Sequence, residues 1–144
     1  MTVIRANEQT LPQAAVLACE LWPDNTPDEL LAEWGALSPE GAAFFLAEEE
    51  GAFAGFAQCQ LRRDYVEGTE TSPVGYLEGV YVREPFRGRG LARALLQACE
   101  GWARRRDCVE FASDCELGNT DSIAFHLGAG FAEANRIVCF VKPL

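Results

Sequence analysis

Residues 78–98, EGVYVREPFRGRGLARALLQA, decide the fold of this chain. Val80, Tyr81 and Val82 are β-branched or aromatic and predict a strand. Pro85 has no N–H to give a ladder, so the strand stops before it. Gly88 and Gly90 bracket a tight turn where backbone can approach a ligand without a Cβ in the way. Leu91, Leu95, Ala98 or Cys99, and Trp102 then recur three and four apart, which predicts a helix with one apolar face.

Such a turn binds anions. A helix N-terminus offers unpaired N–H groups and a partial positive charge, and glycines let a phosphate reach them. Arg87 and Arg89 add full charge at the same place. No Gly-Lys-Ser/Thr follows, which excludes a P-loop, and the glycine spacing excludes a dinucleotide fingerprint. On the turn alone, an ordinary strand-to-helix connection with chance arginines is an equal reading.

Toward the N-terminus, residues 2–6 predict a short strand and residues 10–21 a helix with Pro12 in its first turn. Pro23 and Pro27 break that helix, and a second one starts near Pro27-Asp28-Glu29, buried by Trp34 and Leu37. The break presents Trp22 beside Asp24 and Asn25. An aromatic with short polar neighbours suits a sugar ring or a cation, and a core anchor is the equal alternative. Residues 42–49 and 52–62 predict strands joined at Glu50-Gly51, residues 64–73 an acid-rich polar loop, and residues 74–82 the central strand. Toward the C-terminus, residues 104–106 give the long helix a solvated basic end. Residues 109–113 predict a strand, 119–128 the last helix, and 131–135 and 136–141 two strands that close the sheet. The chain is expected to be one domain over residues 1–144.

Apolar residues make up 49% and charged residues 24%, a soluble globular profile. No apolar run reaches transmembrane length and the start lacks a signal pattern, so the expected location is cytoplasmic. Six cysteines are scattered without a C-x-x-C, which argues for small buried hydrophobes over a disulfide or metal framework. Net charge is −10, from 22 acidic against 12 basic residues; nucleic acid and anionic membranes are repelled, and a cationic substrate is attracted, with maintenance of solubility as the commoner reading of such acidity.

Arg87-x-x-Gly90-x-Ala92 after a hydrophobic strand resembles the acetyl-CoA pyrophosphate loop of the GCN5-related N-acetyltransferase family. Downstream, Asn119, Ser122, His126, Gly130 and Phe131 fall in the register of that family's last helix, which typically runs Asn, Ala, Tyr, Gly-Phe. His126 stands where many members have a tyrosine. The resemblance covers nearly the whole chain. It implies an α/β (α+β) fold with a mixed, mostly antiparallel sheet of six to seven strands, about four helices and splayed central strands. It implies that acetyl-CoA is the co-substrate and that no metal is needed. Its arm would pair with backbone of Gly79, Val80, Tyr81 and Val82, one N–H polarising the thioester carbonyl. Its pyrophosphate would rest on the amides of Arg87, Gly88, Arg89, Gly90, Leu91, Ala92 and Arg93, and Asn119 would fix the arm near the sulfur. His126 is read either as a general acid toward the thiolate or as a packed helix residue, with packing ahead.

Acetyl transfer to an amine needs a neutral nitrogen, whereas a free alkylammonium has a pKa of about 10.4. The site must attract a cation and remove a proton, and carboxylates do both. Glu78 on the central strand and Asp114 at the end of the neighbouring strand are the candidates; on its own, Asp114 reads equally as a loop or cap residue, and a solvent-facing Glu78 is the lesser alternative in so apolar a strand. Two like charges close together would make one of them a better proton acceptor.

Five further blocks narrow the resemblance: Leu21-Trp22-Pro23, Asp64-Tyr65-Val66-x-Gly68, Ser72-Pro73-Val74, Leu77-Glu78-Gly79 and Ala112-Ser113-Asp114. They are similar to the bacterial aminoglycoside 6'-N-acetyltransferases. That implies acetylation of the 6'-amine of kanamycin- or tobramycin-like drugs by direct transfer in a ternary complex, hence antibiotic resistance. It implies drug contacts from Trp22, Asn25, Tyr65, Glu78, Asp114 and Asn135, and a homodimer whose partner helps to wall the drug site. Two positions depart from the group, which has histidine at Asn25 and an acid at Asn135. The alternatives are an acetyltransferase for another cationic amine (polyamine, metabolite or protein) and a non-catalytic acyl-CoA-binding sensor.

Overall fold

Apolar and aromatic runs on either side of Glu50-Gly51 form a hairpin of β2 (Ala42–Glu49) and β3 (Ala52–Arg62). Glu50 and Gly51 both take positive φ, 54° and 78°, as a tight two-residue hairpin turn requires. In the computed structural model, which describes residues 1–144, this hairpin is the middle of a five-stranded sheet ordered β1-β2-β3-β4-β5. Strands β1 (Thr2–Arg5), β2, β3 and β4 (Val74–Val82) pair antiparallel, and β5 (Phe111–Ser113) joins β4 in parallel. The bounds expected for β2, β3 and β4 hold residue for residue.

The helices form a layer on each face. Helices α1 (Leu11–Leu21) and α2 (Pro27–Gly35) bury Leu17, Leu30 and Trp34 against Phe44, Leu46 and Phe56. Thr26 caps α2 by accepting from the Glu29 amide at 3.2 Å. On the other face, α3 (Leu91–Arg104) buries Leu91, Leu95, Cys99 and Trp102 against Ala57, Cys59 and Leu77. Cys99, and not the half-buried Ala98, takes the core position left open by the spacing. Each such large side chain contributes about 1.5–3 kcal/mol by leaving water. Helix α4 (Thr120–Gly128) begins where the Asn119 side chain accepts from the Ser122 amide at 3.1 Å.

Three expectations are corrected. The sheet has five strands, not six or seven, because residues 131–141 form no strand. Ile137, Val138, Phe140 and Val141 stand exposed, and β5, the last strand of the sheet, is only three residues long. The basic end of α3 is only partly solvated, since Arg106 lies 4.4 Å over the Trp102 ring and donates to the Glu40 carbonyl at 3.0 Å. Of the six cysteines, which are all free thiols, Cys59, Cys99 and Cys108 are buried, while Cys115 and Cys139 are exposed.

Candidate active site

Strand β4 has a partner on its β5 side only through Leu77. The parallel pairs are Gly75 with Phe111, Tyr76 with Ala112 and Leu77 with Ser113; beyond them β4 runs on to Val82 alone on that side. The register with β3 shifts at the same point. Gln58 faces Gly79 and Cys59 faces Leu77, so Glu78 is the extra residue of a β-bulge. A bulge bends its strand and re-aims a side chain. The opening of the sheet and the turning of Glu78 therefore coincide.

Ser113 sits at the apex. Its hydroxyl lies 3.4 Å from the Leu77 carbonyl and 2.8 Å from His126 Nε2. His126 Nδ1 is 2.7 Å from the Ser122 carbonyl, which can only accept, so Nδ1 carries the proton. In the neutral ring Nε2 then accepts from Ser113. His126 also packs edge-on against Phe131 at 5.0 Å, so packing and polar contact belong to one residue.

Just past the apex, Asp114 accepts a hydrogen bond from the Tyr76 hydroxyl. Burial first, and then Asp114, push the Tyr76 hydroxyl well above the ordinary tyrosine range, so it keeps its proton and donates. Glu78 is held by Arg62: Nε donates to Oε1 at 3.0 Å and Nη2 to Oε2 at 2.8 Å. The Arg62 guanidinium lies 3.5 Å over the Tyr76 ring. Burial opposes its charge, but Glu78, with Tyr76 and Asp114, outweighs that burial and raises its pKa. Each carboxylate thus has its own partner. The bare like-charge pair expected from the sequence is replaced by a cluster that includes the Arg62 cation and the Tyr76 hydroxyl.

At the far end of β4, a short 3-10 helix (Glu84–Phe86) leads into the glycine turn. Gly88 and Gly90 have φ of 76° and 87°, the left-handed region that glycine enters without strain. Gly90 caps α3, and a groove of about 340 Å³ opens there between α3 and α4, lined by Val82, Arg87, Gly88, Gly90, Leu91, Ala92, Arg93 and Phe125. Arg87 donates to the Val82 carbonyl at 2.7 Å, and Arg93 to the Gly128 carbonyl at 2.7 Å, tying α3 to the end of α4. Arg89 turns away and pairs with Glu50 at 3.0 Å.

The acetyltransferase (GNAT) family model matches residues 6–131. The chain belongs to the GNAT family. This GNAT chain is 42% identical to the aminoglycoside N(6')-acetyltransferase type 1 of Stenotrophomonas maltophilia, over 99% of the chain and 94% of that protein. It is 38% identical to the type 1 enzyme of Serratia marcescens, over 99% of both. Among solved structures it superimposes with a TM-score of 0.93 on AAC(6')-Iy in complex with the bisubstrate analog CoA-S-monomethyl-acetylneamine. The identity there is 35%, covering 99% of the chain and 98% of that structure.

The remaining candidates of this GNAT chain fall in two places. Trp22 is half-buried, edge-on to Phe56 at 5.9 Å and close against Gly79, and Asn25 donates to the Trp22 carbonyl at 3.4 Å. Trp22 thereby flanks the bulge, and Asn25 lies behind its backbone. Tyr65 is exposed, in the polar loop, where a second cavity of about 220 Å³ is lined by Arg63, Asp64, Tyr65, Thr69 and Glu70. Tyr65 donates to Glu67 at 3.2 Å, and Asn135 donates to the other Glu67 oxygen at 2.8 Å. Sequence reasoning missed Arg62, Tyr76 and Ser113. The signal was available for Ser113, which precedes Asp114 in a quoted block. For Arg62 it was not, because its contact with Glu78 follows from the bulge.

Proposed function

We propose that this chain transfers the acetyl group of acetyl-CoA to the 6'-amine of aminoglycosides, and so confers resistance to kanamycin- or tobramycin-like drugs. The observation that supports this reading is that Glu78 and Asp114 are linked through Arg62 and Tyr76 at the point where β4 and β5 part. The glycine-lined groove lies at the far end of the same strand. The names of the relatives and the CoA-linked analog in AAC(6')-Iy support the same donor and acceptor.

The groove fits the donor: positive-φ glycines leave the amides at the mouth of α3 open to a diphosphate. Its arm runs along the unpaired side of β4, from Val82 back to Gly79, and Asn119 steadies it near the sulfur. In a ternary complex the 6'-ammonium gives a proton to Asp114 or Glu78, directly or through water. The neutral nitrogen then attacks the thioester carbon while a β4 amide holds the carbonyl oxygen. The C–S bond breaks, and the nitrogen's second proton passes through water to the departing thiolate. Trp22, Asn25, Tyr65 and Asn135 hold the drug's rings and remaining amines. Glu67, bound to both Tyr65 and Asn135, supplies an acid beside the position where the group has one.

The chain acts as one domain over residues 1–144, as a homodimer in the cytoplasm, away from nucleic acid and membrane. Support for the dimer is the apolar run Ile137–Val141 left in solvent, a surface a second copy would cover. Support for the location is six free thiols; no helix is long and apolar enough to cross a membrane.

Thiol release from acetyl-CoA, measured against a panel of aminoglycosides and polyamines, tests the reading. Turnover of drugs with a 6'-amine and none of their 6'-hydroxyl analogues is expected. Equal turnover of both, or of polyamines alone, would overturn it.

A further inference from the structure

Arg62 is the cation of the carboxylate cluster, and no step above uses it. It ends β3, opposite Val74, and reaches across the bulge to take both oxygens of Glu78 in a forked, charge-assisted contact. Its guanidinium lies over the Tyr76 ring, and Tyr76 in turn holds Asp114. Arg62, Tyr76, Glu78 and Asp114 are therefore one connected unit. The Arg62 side chain is still 41% exposed, so its head can leave without opening the core.

Resting on the acetyltransferase reading, we propose that Arg62 is a positioning residue for Glu78 and a resident cation that the substrate's ammonium must displace from it. With Arg62 in place, the two carboxylates and one guanidinium carry a single net negative charge, which matches one incoming ammonium. A polycation approaching Glu78 meets a competitor already bound there. The site thereby holds its cationic substrate less tightly than two free carboxylates would, and less tightly than the transition state that follows loss of the proton. Binding given up in the ground state and kept in the transition state raises turnover. The planar fork also fixes the direction of Glu78, which a lysine ammonium would not do.

The test compares wild type, Arg62→Gln and Arg62→Lys. Calorimetry measures kanamycin A binding at low and moderate salt, and steady-state kinetics give kcat. Arg62→Gln is expected to bind kanamycin A at least about fivefold more tightly than wild type, with a steeper loss on adding salt, and to have a lower kcat. Arg62→Lys keeps the charge and loses the fork, so its binding stays within about twofold of wild type while kcat falls. The KM for acetyl-CoA should not move in either. Unchanged or weaker kanamycin binding by a folded Arg62→Gln overturns the proposal, as does Arg62→Lys binding as tightly as Arg62→Gln. If Arg62→Gln does not fold, the Arg62→Lys result decides alone: kcat equal to wild type overturns the proposal. Failure of wild type to acetylate any amine would instead overturn the function on which the proposal rests.

Discussion

Trp22 lies so close to Gly79 that a β-carbon at position 79 would stand 2.6 Å from indole atoms Cη2 and Cζ2. The loop between α1 and α2 is thereby laid on the central strand beside the bulged Glu78. Position 79 is glycine because a rigid ring occupies the space of any side chain.

Gly79→Ala must push the indole away, and rigid overpacking of this kind costs about 1–3 kcal/mol. We expect that loss in urea unfolding, together with a severalfold higher KM for the drug and little change in the KM for acetyl-CoA. A variant with wild-type drug KM would remove Trp22 from the acceptor site.

Asp114→Asn keeps an oxygen that can accept from Tyr76 but removes the ability to take a proton. It should lower kcat with kanamycin by at least about tenfold, which is roughly 1.4 kcal/mol of transition-state stabilisation. Turnover unchanged across pH 6–9 would take Asp114 out of the chemistry.

Arg87→Ala should raise the KM for acetyl-CoA and leave the drug KM unmoved, because Arg87 lines the groove at α3 and braces the Val82 carbonyl. Gly90→Ala should also lose about 1–2 kcal/mol of stability, since φ there is 87°. A change confined to the drug KM would contradict the assignment of the groove.

Phe140→Asp places a charge in the exposed C-terminal run, where Phe140 is 92% accessible. Wild type is expected to sediment as a dimer and the variant as a monomer of 15.8 kDa. A wild-type monomer would contradict the proposed assembly.

Much of this architecture was legible in the residues. Strands β2, β3 and β4 announce themselves through aromatic and β-branched runs, with Glu50-Gly51 as the turn between the first two. The α3 face is legible because Leu91, Leu95, Cys99 and Trp102 follow helical spacing on an element packed on one side only. Residues 131–141 mislead for a physical reason. The run Ile137-Val138-Cys139-Phe140-Val141 has strand composition, but composition supplies no pairing: the run joins none of the five strands, and its large apolar side chains stand in solvent. The acids Glu78 and Asp114 could be singled out by type and place, whereas their partners could not. Arg62 meets Glu78 only because the register slips between Gln58 and Cys59, and such a slip leaves no mark in composition or periodicity. Tyr76 meets Asp114 across a parallel pairing three residues long.

The central claim is that donor and acceptor meet where β4 leaves β5. A crystal structure of the complex with CoA and kanamycin tests it most directly. The account predicts the diphosphate on the amides between Gly88 and Ala92, the sulfur near Ser113 and Asn119, and the 6'-nitrogen within hydrogen-bonding reach of Asp114 or Glu78, directly or through one water. A diphosphate bound away from the mouth of α3, or a 6'-nitrogen far from both carboxylates, would contradict it.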